Sequence, residues 1–368
     1  MQRRNNAMSK KLEQPTQTLK TPRGRRPNGN GLSSTTIMDV AREAGVSYAT
    51  VSRVVNNKEY VKSDTRERVL KAITSLGYVV NQQARSLAGG RSYAVGLLVR
   101  DLGSSYMGEI VRGIDESLSA AQYNLMLYTT HRRKIKERIY VNNLIQGMTD
   151  GLLLVLPENL EAYLETLDQT NFPYVLIDHQ GLDERTPVVI TTNWQGGYDA
   201  TRYLIELGHR RIGFLTGMMD MRSSQDRLSG YQAALRDHGL PADPQLVYEG
   251  TYYQPEGYAG AQSLLRLPEP PTAIFASNDV MAFGVMEAVR DAGLRIPSDI
   301  SVIGFDDIAQ ASQVAPPLTT VAQPLEQLGR EAVRMLLARI NNPEQPIART
   351  ILPTTLIIRQ SCDVPRNV

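Results

Sequence analysis

From residue 93 to the end of the chain, short apolar runs alternate with longer stretches of helical character. The strand-like runs are Ala94–Val99, Leu125–Tyr128, Gly151–Leu156, Tyr174–Asp178, Arg211–Thr216, Ala273–Ala276 and Ser301–Phe305. Between them lie helical stretches of about a dozen residues. Near-continuous apolar strands that alternate with helices predict parallel sheets covered on both faces. The 276 residues of this segment are enough for two such sheets. Gly151–Pro157 is typical of the longest apolar runs and is strand-sized, so no membrane span is predicted.

The pattern is different in Thr35–Tyr78. Ile37, Val40, Ala41 and Ala44 fall at i, i+3, i+4, i+7, one face of a helix. Thr36 suits its N-cap, with Asp39 as the reciprocal partner, and Gly45 suits its end. Ser47 caps a second helix whose Val51, Val54 and Val55 face inward. A third helix starts at Ser63 or Asp64, buries Val69, Ala72, Ile73 and Leu76, and stops at Gly77. Helix, turn at Gly45-Val46 and helix is helix-turn-helix spacing. With the valines inward, Tyr48, Ala49, Ser52, Arg53 and Asn56 share the opposite face. Arg53 can clamp guanine O6 and N7 in a major groove, and Tyr or Asn can touch phosphate or a base edge. The same pattern also fits a small three-helix bundle with a solvated polar face.

Charge sharpens the division. The total is +2, but residues 1–92 carry 17 Lys/Arg against 6 Asp/Glu, and residues 93–368 carry 23 against 32. A head at +11 on a body at −9 suits a polyanion-binding module joined to one that is not. Residues 1–34 supply +7 of that, with 8 basic and 1 acidic residue. They have almost no large apolar side chains and are predicted to be a disordered basic tail. Lys20–Pro27 could lie on phosphates or be simply solvated. The one cysteine, Cys362, excludes an internal disulfide and fits a reducing compartment. The N-terminus has no apolar stretch after its charges and does not read as a secretory signal.

Thr36–Asn56, TIMDVAREAGVSYATVSRVVN, resembles the lactose/galactose/purine repressor (LacI/GalR) family of bacterial transcription regulators. The resemblance continues in Thr65–Asn81, Ala84–Ser92, Leu207–Gly217, Arg227–Leu235, Ala276–Gly284, Ile300–Ile308 and Pro316–Pro324, and covers about residues 35–362. It implies an all-α helix-turn-helix head and an α/β body of two doubly wound, parallel-sheet subdomains, similar to periplasmic sugar-binding proteins. The implied divisions are 35–80 for the head, 81–92 for a hinge helix and linker, 93–191 with 324–350 for one subdomain, and 192–323 with 351–362 for the other. Tyr48, Ala49 and Arg53 fall where relatives read operator bases. Ser47, Thr50, Ser52 and Asn56 fall where they touch or brace the backbone. Asn81–Leu87 matches the hinge helix, too short to hold alone. Within it Ala84 and Leu87 share one face, and Leu87 falls where relatives insert an apolar wedge into the minor groove.

For the body, the resemblance implies a small-molecule effector in the cleft, near the carboxyl ends of strands. The lining residues it implies are Ser105, Tyr106, Asp178, Arg227, Tyr252, Asn278 and Asp306. Aspartates that accept, Arg and Asn that donate, and rings that stack suit a polyhydroxy ligand. Helix capping is the competing role for Asn278 and Asp306, and Trp194 could border the cleft or pack in the core. Two departures bear on the ligand. Many relatives have Asn-Pro-Phe where this chain has Ser104-Ser105-Tyr106, and many have arginine at His179.

No GxGxxG after a strand, GxxxxGK[ST] or GxSxG is present, and His131, His179, His209 and His238 show no metal-ligand spacing with Cys362. The reading is therefore not an enzyme, with neither cofactor nor metal. It is a cytoplasmic, nucleoid-associated regulator that binds a palindromic operator as a homodimer and is released by a small carbohydrate. A purine-type or protein-corepressor-dependent repressor is the alternative.

Overall fold

The computed structural model describes residues 35–55, 60–78, 91–180 and 183–366. The chain divides at Val80 into two compact units, a head and a body.

The head is three helices: α1 (Ile37–Ala44), α2 (Tyr48–Val55) and α3 (Ser63–Ser75). At the start of α1 the Thr36 hydroxyl accepts from the Asp39 amide, while the Asp39 carboxylate accepts from Thr36, a reciprocal capping box. Gly45 closes the helix at φ 64, a left-handed turn that costs glycine little. Ser47 Oγ accepts from the Thr50 amide at 3.2 Å and so caps α2. Val40, Ala41, Ala44, Val51, Val54, Val69 and Ala72 form the core, with Ile73 and Leu76 packed against it.

In the body, β1 (Ala94–Val99), α4 (Ser105–Ala120), β2 (Asn124–Thr129), α5 (Lys134–Ile145), β3 (Gly151–Val155), α6 (Glu161–Gln169), β4 (Tyr174–Ile177) and β5 (Val188–Thr191) build the first half. The second half contains α7 (Asn193–Glu206), β6 (Ile212–Leu215), α8 (Arg222–Asp237), β7 (Val247–Tyr248), α9 (Gln254–Leu265), β8 (Ala273–Ala276), α10 (Asp279–Asp291), β9 (Ser301–Asp306) and β10 (Thr319–Ala322). The chain then returns through α11 (Leu325–Asn341) and β11 (Arg349–Leu352) and ends on β12 (Thr355–Ile357). The strand orders are β11-β5-β4-β3-β1-β2 and β12-β10-β9-β8-β6-β7. The first sheet is parallel in every pairing, and the second adds β12 as an antiparallel edge. Central strands β1, β3, β4 and β9 are buried along their whole length, which is why they read as continuous apolar runs.

The chain crosses between the sheets three times: after Thr191, after Ala322 and after Leu352. The third crossing corrects the boundary implied at 350/351. β11 pairs with β5 through Leu352, opposite Thr191, so Ile351 and Leu352 belong to the first sheet. Two strands are one residue shorter than the apolar pattern suggested. Leu156 and Asp178 leave β3 and β4 in the left-handed region, at φ 48 and 54. Ser92, placed in the linker by sequence, is instead fixed to the body, where its amide donates to Asp150 at 2.6 Å.

Helix α11 lies in the core of the first sheet through Leu325, Leu328, Ala332, Val333 and Leu336. It touches α4 backbone to backbone, and a Cβ at Gly113 would strike the Glu326 carbonyl. Gly113→Val should therefore cost about 1–3 kcal/mol of stability or more. Urea unfolding of the full chain measures it, and an unchanged midpoint would contradict this packing.

Candidate functional site

Two surfaces carry chemistry, one on each unit. In the head, the buried valines of α2 fix its outward face. Ser47, Tyr48, Ala49 and Arg53 are exposed, and Thr50 and Ser52 are half-buried. Tyr48 shows 46% of its surface, a large ring that the helical bundle itself does not need. The Ser47 and Thr50 hydroxyls lie 2.9 Å apart at the helix N-terminus, where free N–H groups and the dipole favour a phosphate. Asn56, Ala84 and Leu87 lie outside the described residues.

In the body a cleft of about 830 Å3, open mouth included, lies between the two sheets. Every lining residue follows or ends a strand at its carboxyl end: Arg100, Asp101, Gly103, Ser104, Tyr106 and Met107 after β1, Arg132 after β2, Leu156 after β3 and Asp178 after β4. From the other side come Met218, Met221, Ser223 and Arg227 after β6, Tyr252 and Tyr253 after β7, Asn278 and Val280 after β8, and Asp306 and Ile308 at β9. This is where open α/β sheets place ligands.

Arg227 is the centre of the floor and is 3% exposed. Its Nε donates to Asn193 Oδ1 at 2.8 Å and one Nη donates to the Ser277 carbonyl. The guanidinium lies 3.8 Å from the Phe305 ring centroid, and Nη1 lies 3.7 Å from Asp306 Oδ1. Asp306 accepts from Gln323 Nε2 at 2.7 Å. On the facing side the Tyr106 hydroxyl donates to Asp178 Oδ2 at 2.7 Å. Burial raises the Asp178 carboxyl above its usual range, against the pull of Arg227. Burial likewise pushes Asp306 up to about 7, opposed by Arg227 and the Gln323 hydrogen bond. At the mouth, Arg132 pairs with Asp101 at 3.0 Å and lies 4.6 Å from the Tyr253 ring centroid, reaching from the first half of the body to the second.

Of the residues singled out by sequence, Tyr106, Asp178, Arg227, Tyr252, Asn278 and Asp306 line the cleft together. Ser105 does not. Ser104 lines it instead, and its hydroxyl caps α4 by accepting from Met107, which leaves Ser105 as the first helical residue. Asn278 has its side chain engaged, since Oδ1 caps α10 and Nδ2 donates to the Tyr252 carbonyl at 3.2 Å. His179 is not among the lining residues. Trp194 neither lines the cleft nor fills the core: it is 41% exposed and stacks on Tyr198. Sequence reasoning missed Arg100, Arg132, Met107, Met218, Met221 and Tyr253. Their only signal was position just past a strand. Among the described residues no His/Cys/Asp/Glu group could hold a metal, and no helix is long and apolar enough to cross a membrane.

A helix-turn-helix head and a two-sheet body with a cleft at the strand ends define a ligand-responsive DNA-binding regulator. Residues 36–81 match the model for bacterial regulatory proteins of the lacI family, and residues 201–362 match that for a periplasmic binding protein-like domain. The chain is 37% identical over 330 residues to the HTH-type transcriptional repressor PurR of Haemophilus influenzae, covering 89% of this chain and 98% of that protein. A solved complex of the regulator CelR with cellobiose is 35% identical, with TM-score 0.68 over 89% of this chain and 99% of the other. The lac repressor dimer bound to operator and the anti-inducer ONPF is 30% identical, with TM-score 0.81 over 90% of this chain and all of the other. The chain belongs to the LacI family of DNA-binding transcriptional repressors.

The Asp306 carboxyl makes a prediction about pH. A carboxyl whose folded value is raised, here from 3.8 to about 7, adds stability at low pH that is lost as pH rises through the folded value. Asp306→Asn should gain on the wild type by about 2 kcal/mol between about pH 5 and 8. Paired thermal melts across that interval measure it, and a difference that does not change with pH contradicts the assignment.

Proposed function

We propose that the chain represses transcription as a homodimer on a near-palindromic operator, in the cytoplasm at the nucleoid, and is released by a small carbohydrate. The observation that carries the effector reading is that one cleft is lined by buried Arg227 and Asp306 from one half of the body and by Asp178 from the facing half. A hydroxylated ring can accept from the guanidinium and donate to the carboxylates, while Tyr106, Tyr252 and Tyr253 offer flat apolar faces. The cellobiose complex of a relative supports the same class.

Two halves of the operator need two heads, and the body offers a face for a second copy. Edge strand β2 carries Leu127 at 37% exposure and helix α5 carries Ile135 and Ile139 at 75 and 50%, apolar side chains that a second copy would cover. On the DNA, Tyr48, Ala49 and Arg53 read bases, Ser47, Thr50, Ser52 and Asn56 hold the backbone, and Ala84 with Leu87 form the minor-groove wedge. The two subdomains, divided near 191–192, 323–324 and 352–353, change their relative pose with the ligand. A second reading, purine corepression, is supported by the identity to PurR and by the thioether walls of Met107, Met218 and Met221.

Arg53→Ala should relax sequence preference and cost about 1–3 kcal/mol of operator affinity. Binding to randomised duplexes measures it, and an unchanged preference removes Arg53 from the reading set. Thermal melts of the full chain with cellobiose, ribose and hypoxanthine test the cleft. A sugar at 100 times its dissociation constant should add about 2.7 kcal/mol. A response to hypoxanthine alone would replace release by corepression.

A further inference from the structure

One helix of the body runs from the floor of the cleft to the point where the chain arrives from the head. At the cleft end, Gln323 Nε2 donates to Asp306 at 2.7 Å, and the Leu325 amide donates to the Gln323 carbonyl at 2.8 Å. Gln323 also accepts from the Thr191 hydroxyl, so the first and second crossings meet there. From that point α11 runs for 17 residues, about 25 Å at 1.5 Å per residue. At its other end Arg91 Nη1 donates to Asn341 Oδ1 and Nη2 to the Ile340 carbonyl, both at 2.9 Å. The last carbonyls of a helix lack intrahelical partners and sit at the negative end of its dipole, so a guanidinium there is doubly favoured. Ser92 and Tyr93 continue the attachment through amides that donate to Asp150 at 2.6 and 2.8 Å.

Between its ends α11 is stiff. Its apolar face is buried in the core of the first sheet and its first turns meet α4 at glycine positions. A shift of Asp306, which belongs to the second sheet, pulls on Gln323 and hence on the start of a helix bedded in the first. The helix cannot absorb that shift by bending without breaking close packing.

We propose that Arg91 is a positioning residue for operator binding: α11 is a strut pinned to Asp306 at one end, and Arg91 transmits its position to the residues that lead to the head. This rests on the DNA-binding and cleft readings above. A simple helix cap at Arg91 would contribute stability and leave communication untouched, so the two roles are separable.

The test is a double-mutant cycle in the full chain, using the duplex that wild-type protein enriches from a random pool. Operator affinity is read by fluorescence anisotropy at one salt concentration for wild type, Asp306→Asn, Arg91→Ala and the double variant. Asp306→Asn should shift the dissociation constant by roughly threefold or more in the wild-type background. In the Arg91→Ala background that shift should collapse to near one, and Arg91→Lys should restore part of it. If Arg91→Ala does not fold, Asn341→Ala, at an exposed position, removes one acceptor and should shrink the shift. An equal shift with and without Arg91, or no shift in the wild-type background, overturns the proposal. A wild-type chain that enriches no duplex marks the failure of the DNA reading before any variant is compared, and overturns the inference with it.

Discussion

A guanidinium that is 3% exposed has to be compensated where it sits, and Arg227 imposes that requirement on the whole body. Its partners come from the first crossing (Asn193), the end of β8 (Ser277) and the end of β9 (Phe305 and Asp306). Removing one partner of such a buried charge typically costs 3–5 kcal/mol. The partners of its partners then reach the first and second crossings. Gln323 joins Asp306 to Thr191, and Thr192 joins Thr354 hydroxyl to hydroxyl at 2.9 Å. The floor of the cleft and the first two crossings are thus one hydrogen-bonded network, and the third crossing joins the first at Thr192. A ligand that takes over a bond of Arg227 or Asp306 necessarily alters the electrostatics at these crossings.

The cleft also concentrates backbone strain. Among the described residues ten non-glycine positions have positive φ, and five of them, Arg132, Leu156, Asp178, Tyr252 and Asp306, line the cleft. Each such residue costs on the order of 1 kcal/mol or more and persists only where surrounding contacts over-determine it. Here the left-handed turn at a strand end swings a side chain off the sheet and into the space between the halves. Tyr252 shows how tightly this is fitted. At φ 74 its ring lies where a side chain on residue 217 would be, and Gly217 leaves the room.

What was legible in the chain follows from the range of the forces involved. The buried strands and the outward face of α2 were legible because each is set by neighbours a few residues away. Asp178, Arg227 and Asp306 were legible through motif and strand end. The strand end also explains the failures. Arg132 and Tyr253 are separated by 121 positions and acquire meaning only when two loops meet across the mouth. Ser104 and Ser105 differ only in which becomes the cap, a choice made by the geometry of α4. Strands β5, β10, β11 and β12 are of three or four residues, and β11 joins the first sheet through pairing with β5 some 160 residues earlier. No local pattern carries that information.

The charge asymmetry constrains how such a molecule can be controlled. A body at −9 is repelled overall by a polyanion, whereas the first 92 residues at +11 are drawn to one. At physiological ionic strength the repulsion is screened over about 8 Å, so the body is tolerated near DNA without being drawn to it. An uncharged ligand in the cleft leaves this charge balance unchanged. The covalent path between body and head is one route open to it, and there geometry matters more than net charge. On the body side that path starts at residues 91–93, which are held by the last turn of a half-buried, 17-residue helix and by the Asp150 carboxylate. An ordinary flexible tether would need none of them.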